Sequence, residues 1–246
     1  MWKLCIFRKS FSTGGAFVSR LTLSKPVYIE FLGASGVGKS TVMELVLSLF
    51  AGVKMTKRAG IQRKFPSNLW DCMRHRHRRK AFFELLGYLR RERGVPLGAG
   101  ARRAAFITGV PAHRAHARND KYGVLYSDGG PVGYALAVGA SGPQWAHFER
   151  ILLPEVPESI PFYIYLQASD STVHARRKHR ERPAKKRKGL TGKEGMDAHK
   201  RHEGRIYWLT RLQAAGAHTL IVVTDNRAPE EVAQEVVKFV QRVLIY

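Results

Sequence analysis

The chain has 246 residues, with 42 lysines and arginines against 19 aspartates and glutamates, and only two cysteines. Its length suits one domain around a single core, and an apolar fraction of 44% argues against a wholly disordered chain. Two cysteines exclude a disulfide scaffold, and no apolar run in the sequence is long enough to cross a bilayer. We therefore expect a cytoplasmic protein without a membrane span. The net charge of +23 predicts attraction to phosphates or to polyanions such as nucleic acid.

Residues 1–25 are predicted to be a basic extension that precedes the folded domain. They hold five lysines and arginines, several hydroxyl residues and no acid, because the first acidic residue of the chain is Glu30. A start of this composition can be an organelle-targeting segment, but it is more often a disordered basic extension, an extra strand or a mis-assigned start ahead of the domain. Both interpretations stay open, and residues 26–246 are predicted to form the domain.

A nucleotide-binding loop is the strongest motif in the sequence. Residues 27–32 are rich in β-branched and aromatic side chains, which predicts a buried strand. The next residues match G-x-x-x-x-G-K-[ST], and a helical pattern of apolar residues then continues to about Gly52. The predicted nucleotide-binding residues of this loop are Gly33, Ala34, Ser35, Gly36, Val37, Gly38, Lys39, Ser40 and Thr41.

The residue types in this loop suit the binding of ATP with Mg²⁺. Glycines let backbone N–H groups approach phosphate oxygens closely, and the helix that follows adds a partial positive charge at its first turn. In such a loop, Lys39 reaches the β- and γ-phosphates and the hydroxyl of Ser40 binds Mg²⁺. The sequence therefore predicts a catalytic role for Lys39 and a metal-binding role for Ser40.

A second site residue, Asp128, follows a predicted strand at residues 122–127. An acid at the carboxyl end of a parallel strand beside a nucleotide loop meets either Mg²⁺ or the phosphate acceptor. The alternative is an ordinary Asp-Gly turn after a strand. We expect the first role, so Asp128 is a predicted catalytic and metal-binding residue.

Three further strands and a terminal helix are predicted from the same kind of pattern. Residues 161–166 and 219–223 are predicted core strands, and residues 53–56 are the candidate for one more. Apolar side chains are available along one long helix predicted at residues 229–244.

Together these motifs resemble the nucleoside and nucleotide kinase group of P-loop proteins, most closely its thymidylate kinase-like branch. The stretch from Leu166 to Arg180 is similar to that family's L-x-x-x-P-E-x-x-x-x-R-x-x-x-R, with Asp170-Ser171 in place of Pro-Glu. The resemblance implies an α/β fold of the P-loop NTPase kind. That fold is a three-layer sandwich with a parallel sheet of about five strands, helices on both faces and a basic lid.

The resemblance also implies roles for individual residues. Arg176 would lie on or near the adenine. Arg180 would lie near the start of the lid, which is expected at about residues 176–205, so both are predicted catalytic residues. Asp225, in the loop after the last strand, would line the base pocket. Gly129 departs from the family, where an arginine typically follows the acid. No counterpart of the thymidine-reading residues is found, so the resemblance names no acceptor.

Two stretches carry much of the positive charge. Residues 54–118 hold 17 lysines and arginines and three acids, and arginines there are expected either to clamp an anionic acceptor or to form a solvated helix face. Residues 171–205 hold 13 lysines and arginines and four acids. That second stretch suits a lid that closes over a transferring phosphoryl group, and it also suits a track for a nucleic-acid backbone.

The sequence thus predicts an ATP-dependent phosphotransferase, thymidylate kinase-like, that moves the γ-phosphate of ATP to a nucleotide or other small anionic acceptor. The alternative is a nucleic-acid-binding ATPase or a polynucleotide 5′-hydroxyl kinase, which the net charge favours. Dimers are common in the family that the chain resembles, so a homodimer is one expected assembly.

Overall fold

The computed structural model describes residues 27–50, 55–57, 65–92, 94–109, 123–126, 130–137, 160–178 and 198–245. Its strands are β1 Val27–Gly33, β2 Met55–Lys57, β3 Gly123–Tyr126, β4 Ile160–Gln167 and β5 His218–Val223. Its helices are α1 Lys39–Leu49, α2 Phe65–Arg74, α3 Arg76–Arg91, α4 Leu97–Thr108, α5 Pro131–Ala137, α6 Asp170–Lys178, α7 Ala198–Ala214 and α8 Pro229–Ile245.

The five strands form one parallel sheet in the order β2-β3-β1-β4-β5. The central strand, β1, pairs with β3 through Tyr28–Val124 to Glu30–Tyr126, and with β4 along its whole length. Parallel neighbours need crossover connections, and helices supply them on both faces of the sheet. Because all five strands run the same way, their carboxyl ends meet at one edge, which is where the nucleotide loop begins.

Successive side chains of β1 serve two separate cores, as a strand's period of two requires. Tyr28 and Leu32 pack on one face with helices α2–α5 and α7, and Ile29 and Phe31 pack on the other with α1 and α8. Both faces are buried, which explains why the strand reads as a continuous apolar run. The exception in that run is Glu30, which is 0% exposed.

The fold class predicted from the sequence is confirmed: the molecule is an α/β three-layer sandwich with a five-stranded parallel sheet. The strands predicted at residues 27–32, 122–127, 161–166 and 219–223 are all present, as is the terminal helix. The weakly predicted strand at 53–56 corresponds to β2, which begins two residues later at Met55.

Two predicted segments fall largely beyond the described residues. The basic extension at 1–25 lies outside them entirely, and so do residues 179–197 of the predicted lid. Helices α6 and α7 flank the lid segment on either side. Among the described residues, no helix has the length and hydropathy that crossing a membrane would require.

Candidate functional site

The loop between β1 and α1 has the backbone that its glycines permit. Gly33, Gly36 and Gly38 have φ values of 141°, 92° and 106°, which residues with a Cβ rarely adopt. Gly33 also lies against its register partner, Leu166, because a Cβ there would sit 2.5 Å from the Leu166 carbonyl oxygen. Glycine at these positions is thus required by the backbone geometry, and it also leaves room for a phosphate to approach the loop.

Lys39 is the first residue of α1, and its side chain turns back across the loop. The Nζ atom donates hydrogen bonds to the carbonyl oxygens of Gly33, at 3.1 Å, and Ala34, at 2.9 Å. Only 9% of the residue is exposed, so the ammonium group is held by the loop rather than by solvent. A cation in this position, together with the N-terminus of α1, makes the loop attractive to phosphate oxygens.

Arg176, on α6, joins the nucleotide loop to the segment after β5. Its Nη1 donates to the Val37 carbonyl oxygen at 2.9 Å and to the Thr224 hydroxyl at 3.0 Å, and its Nη2 donates to the Thr224 carbonyl oxygen at 2.8 Å. The sequence pattern places this arginine at the nucleotide edge, and the structure locates it directly beside the loop. Its contacts are with backbone and hydroxyl oxygens of this chain.

Asp225 anchors the start of α6 to the loop after β5. Its carboxylate accepts hydrogen bonds from the Ser169 amide, at 2.9 Å, and from the Ser169 hydroxyl, at 2.8 Å. Hydrogen bonds from the side chains of Thr172 and Ser169, and then from the Ser169 amide, lower the pKa of Asp225 below its ordinary value. Ser169 in turn caps α6, because its hydroxyl accepts the Thr172 amide.

These contacts place Lys39, Arg176 and Asp225 at one edge of the sheet, where β1, β4 and β5 end. Ser35 and Thr41 of the loop are exposed there, and Val37 is buried. Two cationic side chains, Lys39 and Arg176, and the N-terminus of α1 thus lie at the same loop. The arrangement can bind a polyphosphate and neutralise charge that develops on it.

Two predicted catalytic residues, Asp128 and Arg180, lie outside the described residues. The structure nevertheless describes both ends of the segment that holds Asp128, namely Tyr126 at the end of β3 and Gly130 before α5. A metal site at Asp128 therefore stays a prediction. Among the residues that the structure describes, no group of three or more His, Cys, Asp or Glu side chains converges.

The donors present fit Mg²⁺ bound mainly through a nucleotide. Ser40, on the first turn of α1, offers one hydroxyl oxygen beside Lys39, and Mg²⁺ prefers oxygen ligands. This ion is usually held by one or two protein oxygens and by substrate phosphates rather than by a full protein cage. The described residues therefore suit a Mg²⁺ site in which the protein supplies few of the ligands.

Sequence reasoning missed Glu30 as a residue of this region. The Tyr28 hydroxyl donates to its Oε2 at 2.8 Å, and the Gly133 amide donates to its Oε1 at 2.7 Å. The available signal was a single acid inside an otherwise apolar strand. Its partner Gly133 is 103 residues away in the chain, which no local pattern reveals.

Comparisons with known proteins give matches among solved structures only. No protein-family model matches the chain, and no curated protein matches it. A deoxyadenosine kinase from M. mycoides with bound dATP is 14% identical, with a TM-score of 0.46, and the match covers 89% of this chain and 100% of that one. A thymidylate kinase from Ehrlichia chaffeensis is 13% identical, with a TM-score of 0.45, over 88% and 100% of the two chains.

A shikimate kinase from Acinetobacter baumannii in complex with shikimate is a further match. It is 15% identical, with a TM-score of 0.42, over 89% of this chain and 95% of that one. The names of these three proteins give three different substrates. Their similarity to this chain is one of fold.

Proposed function

We propose that this protein is an ATP-dependent phosphotransferase that moves the γ-phosphate of ATP to a nucleotide or another small anionic acceptor. The observation that carries the proposal is the loop at residues 33–41, with Lys39 drawn across it and Arg176 beside it. A strand, a glycine-rich turn and a helix N-terminus in this order favour phosphate binding, because backbone N–H groups and the helix dipole both attract an anion.

Phosphoryl transfer depends mostly on positioning and on charge stabilisation, and we expect each predicted site residue to have a separate role in it. The Lys39 ammonium binds the β- and γ-phosphates, exchanging its two carbonyl partners for phosphate oxygens. Arg176 holds the nucleotide loop against the loop after β5, and Arg180 closes with the lid. Asp128 orients the acceptor. Ser40 and Asp128 would hold Mg²⁺, which would neutralise negative charge on the phosphates of ATP.

We expect the phosphate acceptor to bind beside helices α2–α4, which cover one face of the sheet. Helix α3 begins and ends with basic residues, Arg76 and Lys80 near its start and Arg90 and Arg91 in its last turn. Arginine and lysine in this layer favour an acceptor that already carries a phosphate or carboxylate. A nucleoside monophosphate satisfies that requirement.

The test is ADP release from Mg·ATP with a panel of acceptors. The panel holds nucleoside monophosphates, nucleosides, phosphosugars and 5′-hydroxyl oligonucleotides. We expect one small anionic acceptor to stimulate release at least about tenfold, and we expect Lys39→Ala to abolish the stimulation. Lys238→Ala, which removes an exposed lysine of α8, is the matched control and should keep full activity. A panel without stimulation, in a protein that still binds ATP, would reject the proposal.

A second candidate, a nucleic-acid-binding ATPase or 5′-hydroxyl polynucleotide kinase, is favoured by exposed aromatic side chains as well as by the net charge. Trp70 on α2 is 61% exposed and Phe83 on α3 is 57% exposed, and both lie within the first basic stretch. The Arg74 guanidinium lies 5.1 Å from the centre of the Trp70 ring. Exposed aromatic rings among cations are the elements that stack single-stranded bases.

This second candidate predicts strong, salt-dependent binding of single-stranded oligonucleotides. Fluorescence anisotropy at increasing salt would give a steep linear fall of log K with log salt, and Trp70→Ala would weaken binding roughly tenfold or more. Weak binding that Trp70→Ala leaves unchanged would remove the candidate.

A further inference from the structure

The carbonyl group of Val37, inside the nucleotide loop, is bound by side chains from two other segments. The Nη1 atom of Arg176, on α6, donates to its oxygen at 2.9 Å, and the hydroxyl of Thr224, after β5, donates to the same oxygen at 3.4 Å. Val37 is 139 residues from Arg176 and 187 residues from Thr224 in the chain. The direction of this carbonyl is therefore set by tertiary contacts with α6 and with the end of β5.

This carbonyl belongs to the peptide group that joins Val37 to Gly38. No described peptide bond is cis, so the C=O and the N–H of this planar group point in opposite directions. The oxygen points to Arg176 and Thr224, and the Gly38 N–H therefore points away from them. Among the described residues the Gly38 amide donates no hydrogen bond, and Gly38 is the N-cap of α1. An open backbone donor at a helix N-terminus suits a phosphate oxygen.

Glycine at position 38 makes this orientation depend on contacts from outside the loop. Its φ is 106°, and glycine adopts positive and negative φ values about equally readily. A half-turn of the Val37–Gly38 peptide exchanges one sign of φ for the other, so the glycine itself favours neither orientation strongly. In the reversed orientation the Val37 oxygen would take the place of the N–H, and an oxygen there would repel a phosphate.

Thr224 holds the guanidinium of Arg176 in the place from which it reaches Val37. The Thr224 hydroxyl accepts a hydrogen bond from Nη1 at 3.0 Å, and the Thr224 carbonyl oxygen accepts one from Nη2 at 2.8 Å. The Thr224 amide donates to the carbonyl oxygen of Gln167, the last residue of β4, at 2.8 Å, and Thr224 is only 3% exposed. Because Thr224 is itself fixed to the sheet, it can hold Arg176 in one position.

We propose that Thr224 is a positioning residue of the nucleotide loop, which holds Arg176 so that the Gly38 N–H stays directed to the phosphates. The inference rests on the proposed function in one respect, namely that the loop binds the phosphates of a nucleotide. In this role Thr224 acts through Arg176 and touches no substrate. The competing role is contact with the base, because the neighbouring Asp225 is expected to line a base pocket.

Two substitutions test the hydroxyl group of Thr224. Thr224→Val keeps the shape of the side chain and removes the hydroxyl, whereas Thr224→Ser keeps the hydroxyl and removes a methyl group. We expect Thr224→Val to raise the Kd for ADP about tenfold, and we expect Thr224→Ser to stay within about threefold of wild type. Thr219→Val makes the same change at a half-buried position of β5, so it is the matched control and should bind ADP as wild type does.

Inorganic tripolyphosphate separates the two roles of Thr224, because it has phosphates and no base. Calorimetric titration gives its Kd and the Kd of ADP for each variant. The proposal predicts that Thr224→Val weakens the binding of both ligands by the same factor. Weaker binding of ADP with unchanged binding of tripolyphosphate would overturn it, since Thr224 would then act at the base. Unchanged binding of both ligands would overturn it as well.

The amide proton of Gly38 reports the orientation of the peptide directly. In isotope-labelled wild type and Thr224→Ser, its NMR signal should move downfield when tripolyphosphate is added, because a hydrogen bond to an anion deshields the proton. The shift should be much smaller in Thr224→Val. An equal shift in Thr224→Val would contradict the inference even if that variant is less stable. A wild-type protein that binds neither ADP nor tripolyphosphate would also contradict it.

These measurements do not depend on an acceptor, so they can be read apart from the proposed activity. If the acceptor panel gives no transfer while Thr224→Val alone weakens tripolyphosphate binding, the proposed activity fails and the inference stands. If wild type transfers phosphate and Thr224→Val binds both ligands normally, the activity stands and the inference fails.

Discussion

At the scale of single residues, Arg176 shows how a side chain can join distant segments. Its planar guanidinium bonds three oxygens at once, one on Val37 and two on Thr224. A lysine ammonium at the same place carries the charge but cannot match the fork geometry. The arginine was predicted from a family pattern, yet its observed partners follow from the fold alone, since Val37 and Thr224 are 187 residues apart.

We expect Arg176→Lys to lower the free energy of unfolding by about 1–2 kcal/mol and to weaken ADP binding. The reason is the loss of at least one of the bonds to Thr224, which leaves the nucleotide loop less well held. Denaturant unfolding and calorimetric titration with ADP measure the two effects. Arg242→Lys on the exposed face of α8 is the control, and equal behaviour of the two variants would contradict the assignment.

Asp225→Asn is expected to destabilise the protein at neutral pH and much less in acid. Because hydrogen bonds lower the pKa of Asp225 in the folded state, the carboxylate stabilises the fold above its ordinary pKa of 3.8. That contribution is lost as the pH falls through the lower folded value. The difference in Tm between wild type and variant should be constant from about pH 8 to 5 and shrink below about pH 4. A difference unchanged down to about pH 2 would refute this account.

Asn68, on α2, is 1% exposed, and among the described residues neither its Nδ2 nor its Oδ1 has a hydrogen-bond partner. A buried amide without partners costs about 1–3 kcal/mol. We expect Asn68→Leu, which keeps a similar shape, to raise the free energy of unfolding by about 1 kcal/mol. Urea unfolding checks this, and a clear loss of stability would mean that the amide has a use.

At the scale of elements, the predictable parts were those with a strong local pattern. The strands at 27–32, 161–166 and 219–223 have dense β-branched and aromatic runs, and the structure contains all three. The strand β2 was the weakest prediction because its three residues are too few to show a period. The hydrogen bond that the Gly133 amide donates to Glu30 could not be predicted, since it depends on a tertiary contact rather than on a local sequence signal.

The junction between β1 and its loop is the element most sensitive to substitution. Gly33→Ala would place a Cβ 2.5 Å from the Leu166 carbonyl oxygen, at a φ of 141° that alanine rarely adopts. We expect a loss of about 2–3 kcal/mol in the free energy of unfolding, together with loss of nucleotide binding. Gly98→Ala, at an open position in α4, is the control and should be neutral or slightly stabilising. A stable Gly33→Ala protein would show that β1 and β4 are less closely joined at this point.

At the scale of the whole molecule, the sheet order brings the nucleotide loop to the centre of one edge. Strand β1 lies between β3 and β4, so the loop is flanked by β3 on one side and by β4, with Ser169 and Arg176 after it, on the other. The sequence predicted the loop and the α/β class, and the family resemblance implied that Arg176 and Asp225 lie near the nucleotide, but the order of the strands was not predicted. Strand order depends on how helices cross the sheet, and the residues of a strand do not encode it locally.

The net charge of +23 is also a property of the whole chain. It favours any phosphate-bearing partner and therefore does not separate a small acceptor from a polynucleotide. The exposed rings of Trp70 and Phe83 were not predictable, because an aromatic residue in a helical pattern is more often part of the core. A measurement of which molecule receives the phosphate is needed to distinguish a small acceptor from a polynucleotide.

The most direct measurement follows the γ-phosphate of labelled ATP in the presence of nucleoside monophosphates, phosphosugars and oligonucleotides. The account predicts that wild type transfers the label to a small anionic acceptor, and that Lys39→Ala transfers none while Lys238→Ala behaves as wild type. Label found only in inorganic phosphate, or only on an oligonucleotide, would contradict the central claim that this chain is a small-molecule phosphotransferase.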